Sequence, residues 1–406
     1  VSGDRTPRPI ASAGESRPIY VVWELTLRCD LACGHCGSRA GKPRSDELGT
    51  DEALDVVRQL AEMGTREVTL IGGEAYLRDD WTIIANAIVK AGMRCSMTTG
   101  GRGVTAARAR QAKEAGMSAV SVSLDGMQVA HDLQRGLRGS FAAAREALAN
   151  LRAAGVTIDV NTQLNRVSAP DLDALVDLLV AERVRGWQVQ LTVPMGRAAE
   201  RPDWLFQPWE LRELYPRFAA LAERAASHGV LIWPANNIGY FGPHEAVLRG
   251  RGVETDLHWT GCPAGTRALG IESDGTIKGC PSLPTEAWGG GSARERTLRA
   301  IWDETKELRY TRDRTTADLW GFCKDCYYAD ECRAGCTWTS HVFFGRPGNN
   351  PYCHHRALEH DARGLRERLV QVAPAPGTPF DHGRFEIIVE PKDAAPAETK
   401  VRLPLV

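Results

Sequence analysis

From Tyr20 to about residue 228 the chain alternates short apolar runs with amphipathic stretches, and few architectures accept that rhythm. YVVWELTL is followed by 51–63, EVTLIGG by 79–91, MRCSMTTG by 104–115, AVSVSL by 140–154, VTIDVNTQL by 170–182 and WQVQLTV by 208–228. The first kind of run suits a strand; in the second, apolar residues recur with a helical period. Gly64, Gly92, Gly116, Gly155 and Gly229 stand just past the predicted helix ends, where a left-handed residue closes a helix without a Cβ penalty. Successive βα units with right-handed crossovers build a parallel sheet with helices outside, doubly wound or curved into a barrel. Six such units instead of eight predict an α/β fold with a partial (β/α)6 TIM-type barrel over residues 20–240.

The flanks read differently. Residues 1–19 are rich in Pro, Ser, Gly and Arg and read as a flexible arm. Residues 241–370 are Gly-, Trp- and Cys-rich, with a helix predicted at 354–370, and hold too little aliphatic core for their length, so metal is their expected staple. Residues 371–406 form a Pro-rich extension with a strand candidate, RFEIIVE, and a second, VRLPLV.

Composition removes several functions. Fifty Lys+Arg against fifty-one Asp+Glu give a net charge of −1, leaving no bulk field for nucleic acid or anionic lipid. No apolar run approaches the roughly 18 residues of a membrane span, and the N-terminus lacks the apolar centre of a signal peptide. The expectation is a cytoplasmic protein with neither nucleic acid nor membrane as partner.

The cysteines are clustered: between Cys36 and Cys262 only Cys95 intervenes. In a reducing compartment close-set cysteines serve as soft-metal ligands more readily than as disulfides. Cys29, Cys33 and Cys36 stand as CxxxCxxC directly after the first strand, one thiolate short of a closed site. A four-iron cluster with one iron left open for a ligand and a zinc completed by His35 both satisfy that spacing.

Further motifs fall at the carboxyl ends of the predicted strands, where barrel enzymes gather function. Strand two ends in IGGEA, with Gly72 and Gly73 permitting close backbone approach and Glu74 able to accept from an ammonium. Strand four ends in SVSLDG, with Ser123 and Asp125 suited to a ribose, and HDLQR follows with Arg135. Strand six ends in VPMGRA, with Met195. In this order the motifs resemble the radical S-adenosylmethionine (SAM) superfamily. The resemblance implies that Cys29, Cys33 and Cys36 hold a [4Fe–4S] cluster whose open iron chelates SAM. It implies further that Gly72, Gly73 and Glu74 bind the SAM amino group, that Ser123 and Asp125 meet the ribose, and that Arg135 pairs with the carboxylate. Met195 would pack on adenine, and His35 occupies a position usually held by an aromatic that contacts SAM.

Cys262 and Cys280, then Cys323, Cys326, Cys332 and Cys336 in CxxCxxxxxCxxxC, then Cys353, are similar to the seven-cysteine pattern of the SPASM domain, which carries auxiliary iron–sulfur clusters. The resemblance assigns one cluster to Cys262, Cys280 and Cys336 and the other to Cys323, Cys326, Cys332 and Cys353, for three [4Fe–4S] clusters in all. Two structural zinc sites, the second completed by His341, His354 or His355, are the alternative. Where some members carry an eighth cysteine this chain has Asp256, so Asp256, His258, water or substrate are open as the fourth ligand. Pro281 stands where sulfatase-activating relatives carry a catalytic aspartate, which puts formylglycine chemistry in doubt. Cys95, within strand three, reads as a buried small hydrophobe.

Members of this group mature ribosomally made peptides or act on small molecules. The implied function is a radical SAM oxidoreductase and peptide maturase. Its implied partners are a precursor peptide, a separate leader-binding protein, since only about 20 residues precede strand one, and a low-potential donor such as flavodoxin or ferredoxin. A radical SAM dehydrogenase or epimerase of a free small molecule is the alternative, and a zinc-stabilised binding protein a third. Candidate proton acceptors are His258, Asp256, Tyr240 and Glu272, none singled out by its surroundings.

Overall fold

The computed structural model describes residues 16–250, 258–259 and 261–394. Its first half is the expected alternation: β1 (Tyr20–Glu24), α1 (Thr50–Glu62), β2 (Glu67–Ile71), α2 (Trp81–Lys90), β3 (Arg94–Thr99), α3 (Ala106–Glu114) and β4 (Ala119–Ser123). Two helices follow, α4 (Gln128–Arg135) and α5 (Ser140–Ala153), then β5 (Thr157–Leu164), α6 (Leu172–Ala181), β6 (Gly186–Leu191), α7 (Leu211–Ser227) and β7 (Leu231–Pro234). The reason is legible residue by residue. Ala53, Val56, Val57 and Leu60 form one buried stripe on α1. On β5 burial alternates strictly, Ile158, Val160, Thr162 and Leu164 going under the helices and Asp159, Asn161 and Gln163 facing away. The five glycines past the predicted helix ends all take positive φ, between 71° and 84°.

The second half contributes α8 (Glu245–Gly250), β8 (Ala268–Ile271), β9 (Ile277–Lys278), α9 (Thr285–Trp288), α10 (Leu298–Glu304), α11 (Lys306–Asp313), α12 (Ala329–Cys332), α13 (Thr337–Phe344), α14 (His354–Ala362), β10 (Leu365–Ala373) and β11 (Arg384–Pro391). Its β8 joins the barrel sheet in parallel beside β1, Tyr20 opposite Ala268, and β9 pairs antiparallel on β8. The sheet therefore runs β7-β6-β5-β4-β3-β2-β1-β8-β9 and stays open at both ends. Seven parallel strands precede the cysteine-rich region instead of six, because LIWP is too short to show a period.

Three expectations need correction or limits. The helix predicted over 354–370 ends at Ala362; Gly364, at φ 72°, turns the chain, and LRERLVQVA pairs antiparallel with RFEIIVEP, Leu365 opposite Pro391. Cross-strand pairing overrides the helical period there. Of the N-terminal arm, residues 16–19 are described and are tied down: Ser16 Oγ donates to Thr266 O at 3.1 Å, and Trp302 Nε1 donates to Ser16 O. VRLPLV and Asp256 lie outside the described residues. Among the described residues no helix is long and apolar enough to cross a membrane.

Candidate active site

The loop after β1 is closed at its base, where Cys29 N donates to Gly41 O and Gly41 N to Leu27 O. It is held from three sides. From β2, Gly73 N donates to Thr26 O and Glu74 N to Arg28 O, both at 2.8 Å. A Cβ on Gly73 would lie 2.1 Å from Arg28 O, and one on Gly72 2.2 Å from Thr26 O. On the side where a Cβ would stand, the close approach these glycines permit is to the cysteine loop itself. From the end of α4, Gln134 O accepts from Gly34 N. From beyond β6, Arg197 donates through Nε to Cys33 O at 2.7 Å and through Nη2 to Ala40 O at 3.2 Å. Arg197 was not singled out in the sequence, although it sits two residues past Met195.

Burial pushes the Cys29 thiol up to about 12 and raises Cys33 as well, the Cys36 sulfur adding to both. Arg135 Nη1 lies 3.8 Å from Cys33 Sγ, and Arg135 Nη2 2.6 Å from Asp125 Oδ2. His35 Nε2 is 3.3 Å from the same oxygen, while Asp125 Oδ1 accepts from Gln163 N at 2.8 Å. Burial lowers His35 to about 4, so its ring is neutral. Glu74 is buried, accepts from Thr99 Oγ1 at 2.5 Å and Gly100 N at 2.7 Å, and is nonetheless raised by burial to about 7. Cys33, His35, Asp125 and Arg135 form one connected group, which Glu74 joins electrostatically through Arg135. Met195 lies across the loop, its Cγ 3.6 Å from where a Gly37 Cβ would stand, and its sulfur accepts from Trp338 Nε1 at 3.0 Å. Ser123 is buried at the end of β4 in register with Asn161.

These residues suit an iron–sulfur cluster with a zwitterionic ligand. Three free sulfur donors share the loop, and the buried atoms Asp30 Oδ1, His35 Nδ1 and Arg135 Nε beside them have no hydrogen-bond partner among the described residues. Sulfur donors in this number favour a soft metal, and unmatched donors and acceptors in one place favour a polar ligand.

The remaining cysteines fall into two electrostatic groups. Burial raises the Cys332 and Cys353 thiols, Cys353 adds to the rise of Cys332, and Cys323 and Cys326 add to both. These four line one pocket together with Tyr240 and Phe322. Burial and then Cys262 push Cys336 up to about 12, with Cys280 adding, and burial raises Cys280 to about 11. Cys336 and Cys262 share one buried cluster, with Cys280 packed against it. Of the histidines considered for zinc, His341 Nδ1 accepts from Trp288 Nε1 at 3.2 Å, and His354 packs on Tyr215. His355 does line the four-cysteine cavity. Cys95 is wholly buried inside β3.

The candidate proton acceptors are scattered. Glu272 is ion-paired to Lys278 at 2.5 Å and to Arg44 at 3.1 Å. Tyr240 is wholly buried between the two auxiliary groups, and His258 lies against the Phe241 ring. A further element reaches the site unannounced by the sequence: the tip of the β10–β11 hairpin. Asp381 accepts from Arg39 Nε at 2.8 Å and its carbonyl from Gly196 N, His382 bridges to Met195, and Phe380 lies 3.9 Å under Lys278 Nζ. The Arg39 contact spans 342 residues of sequence and the others more than 100, so no local pattern announces them.

Comparison with known proteins agrees with this layout. The profile of the radical SAM superfamily matches residues 23–179, and that of the SPASM iron-sulfur cluster-binding domain matches residues 262–327. The chain is 28% identical to the AdoMet-dependent heme synthase of Nitratidesulfovibrio vulgaris over 83% of its length and 92% of that protein. It is 29% identical to the mycofactocin maturase MftC of Mycolicibacterium smegmatis over 84% of its length and 83% of the relative. The crystal structure of Streptococcus suis SuiB bound to S-adenosylmethionine superposes with a TM-score of 0.64 at 17% identity, over 83% of this chain and 76% of that one, a likeness of fold. With both domains matched in order, the chain is a radical SAM enzyme with a C-terminal SPASM domain.

Proposed function

We propose that this enzyme modifies a ribosomally made peptide, installing a cross-link or another change at a carbon that lacks an activating group. Bound at Cys29, Cys33 and Cys36, a [4Fe–4S] cluster with SAM would supply the 5′-deoxyadenosyl radical that abstracts hydrogen from that carbon. Around it, Glu74 would accept from the SAM amino group, Arg135 would face the carboxylate while Asp125 holds it in place, and Met195 would cover the adenine. His35, neutral and turned toward Asp125, would serve as a brace of that pair. Cys262, Cys280 and Cys336, and Cys323, Cys326, Cys332 and Cys353, would hold two auxiliary clusters able to take up an electron.

The observation that carries the peptide reading is the face of the sheet turned away from the helices. Ser96, Thr98, Ser121, Asn161, Gln163 and Gln190 stand on it, half-buried, with Asp159 ion-paired to Arg185 at 2.7 Å, and Asn161 Nδ2 reaches Thr98 Oγ1 at 3.4 Å. Neutral hydroxyls and amides match the donors and acceptors of a peptide backbone. A porphyrin, the class named in the heme synthases, is a broad apolar plate edged with carboxylates and would call for apolar walls and cations. The relatedness to MftC, and the SuiB fold captured with precursor peptide SuiA, support the same choice. The partners would then be a precursor peptide, a leader-binding protein and a low-potential donor of the flavodoxin or ferredoxin kind.

The test is anaerobic reconstitution with iron and sulfide, then incubation with SAM and dithionite while 5′-deoxyadenosine is measured. About twelve irons per chain is the expected content, with SAM cleavage abolished when Cys29, Cys33 and Cys36 become Ala. Peptides encoded beside the gene are then screened by mass for a loss of hydrogen. Turnover of a free small molecule with none of those peptides altered would move the assignment to a dehydrogenase or epimerase, and zinc in place of iron would remove both.

A further inference from the structure

Tyr240 occupies a position that neither substrate binding nor SAM binding accounts for. Its backbone is left-handed, φ 79°, and Phe241 beside it is at φ 55°, conformations that cost non-glycine residues energy and persist where the surroundings over-determine them. The ring is wholly buried. Gly335, the residue before Cys336, takes φ 59°, and a Cβ there would lie 2.7 Å from Tyr240 Cε1, so the cysteine run is shaped to admit this ring.

The contacts of Tyr240 divide between the two auxiliary cysteine groups. Its hydroxyl donates to Asn236 O, and the same oxygen accepts from Cys336 N at 3.2 Å. On the other side its carbonyl is 3.9 Å from Cys353 Sγ, and its ring helps wall the cavity of Cys323, Cys326, Cys332 and Cys353. Trp259 meets its ring edge-on at 5.0 Å and donates from Nε1 to Cys332 O at 3.4 Å. One tyrosine thus touches a ligand of each group.

We propose that Tyr240 is a positioning residue that holds down the reduction potential of the centre at Cys262, Cys280 and Cys336 by occupying the Cys336 amide. This rests on the reading that both groups hold iron–sulfur clusters. Hydrogen bonds to cluster sulfurs are among the protein's levers on potential. An N–H aimed at sulfur favours the more negative, reduced state, and the Tyr240 oxygen diverts that N–H while presenting its own negative end to Cys336. Removing the hydroxyl frees the amide and withdraws the dipole, and both changes raise the potential. Taking the Cys262, Cys280 and Cys336 centre as near, the far centre at Cys323, Cys326, Cys332 and Cys353 meets the carbonyl and the ring, which Tyr240→Phe keeps.

The experiment compares reconstituted full-length wild type and Tyr240→Phe by redox titration followed by electron paramagnetic resonance, the near signal being assigned by its disappearance in Cys262→Ser. The expected result is an upward shift of that signal alone, the radical SAM and far auxiliary signals staying in place. An unshifted near signal in a fully iron-loaded variant overturns the proposal, as does an equal shift of all three. If Tyr240→Phe does not load, 3-fluorotyrosine at position 240, a weaker acceptor of nearly the same volume, is expected to give a smaller shift of the same sign. Loss of iron from that protein too would assign Tyr240 to cluster retention and sink the proposal. Absence of auxiliary signals from the wild type would instead strike the underlying cluster reading, and that is seen before any variant is made.

Discussion

Gly73→Ala separates a requirement for space from a requirement for backbone freedom. The new methyl would start 2.1 Å from Arg28 O, 2.5 Å from Arg28 C and 2.7 Å from Cys29 Cβ. Relieving the first contact to an ordinary distance needs a displacement of about 1 Å, and ligand distances tolerate only about 0.2 Å. Overpacking of this kind costs about 1–3 kcal/mol, and here the strain falls on the backbone that carries Cys29. The expected outcome is a folded protein that has lost about four irons per chain, one four-iron cluster, and its SAM cleavage, while the auxiliary signals persist. Gly92→Ala is the control: at φ 81° with nothing within 4 Å of the new Cβ it suffers backbone strain alone, about 1–2 kcal/mol, and presses on no cysteine. Iron counting and 5′-deoxyadenosine formation read both. A Gly73→Ala enzyme with full iron and SAM cleavage within fivefold of wild type would refute the reasoning.

Other consequences can be checked in the same preparations. Glu367 accepts from Arg356 Nε and Nη2, each at 2.6 Å, in a buried pair that ties β10 to α14 beside Cys353. Removing one partner costs about 3–5 kcal/mol, so Glu367→Gln is expected to speed hydrogen exchange of α14 and β10 by about a hundredfold or more while β2 and β3 are unchanged. Burial alone would raise this carboxyl, but Arg356 and His360 outweigh it and hold it at about 2, against an ordinary 4.5. Its folded value being depressed, the stabilisation is complete above about pH 4.5 and is lost as the pH falls toward 2, where wild type and variant should converge in urea midpoint. Cys95→Ala, in the β3 core, should lower the melting temperature slightly and keep full iron; iron loss would place Cys95 among the ligands. Asp381→Asn should loosen the hairpin tip from Arg39, seen as faster exchange across 378–383, whereas unchanged protection there would show that Phe380 and His382 hold it without the ion pair.

How much of this was legible in the chain follows the range of the physics involved. Helical stripes such as Ala53, Val56, Val57 and Leu60, and the alternation along β5, are local patterns, and so the half of the fold they build could be read in order. The cysteine spacing named a metal chemistry for the same reason, since three sulfurs within eight residues share one loop whatever surrounds them. Local patterning failed where pairing partners compete with it, as in LRERLVQVA, which reads as the continuation of a helix until RFEIIVEP arrives to make it a strand. Tertiary structure alone decided that Gly72 and Gly73 face the cysteine loop, that Arg197 clamps it, and that Glu272 is neutralised by Lys278 and Arg44. It also brought Asp381 to Arg39 across 342 residues and set Tyr240 between the two auxiliary groups. Sequence records which chemical groups the chain owns and how neighbours repeat. Which of them meet depends on the burial and pairing of the whole chain, because contacts between distant residues form only once the sheet and its loops have brought them together.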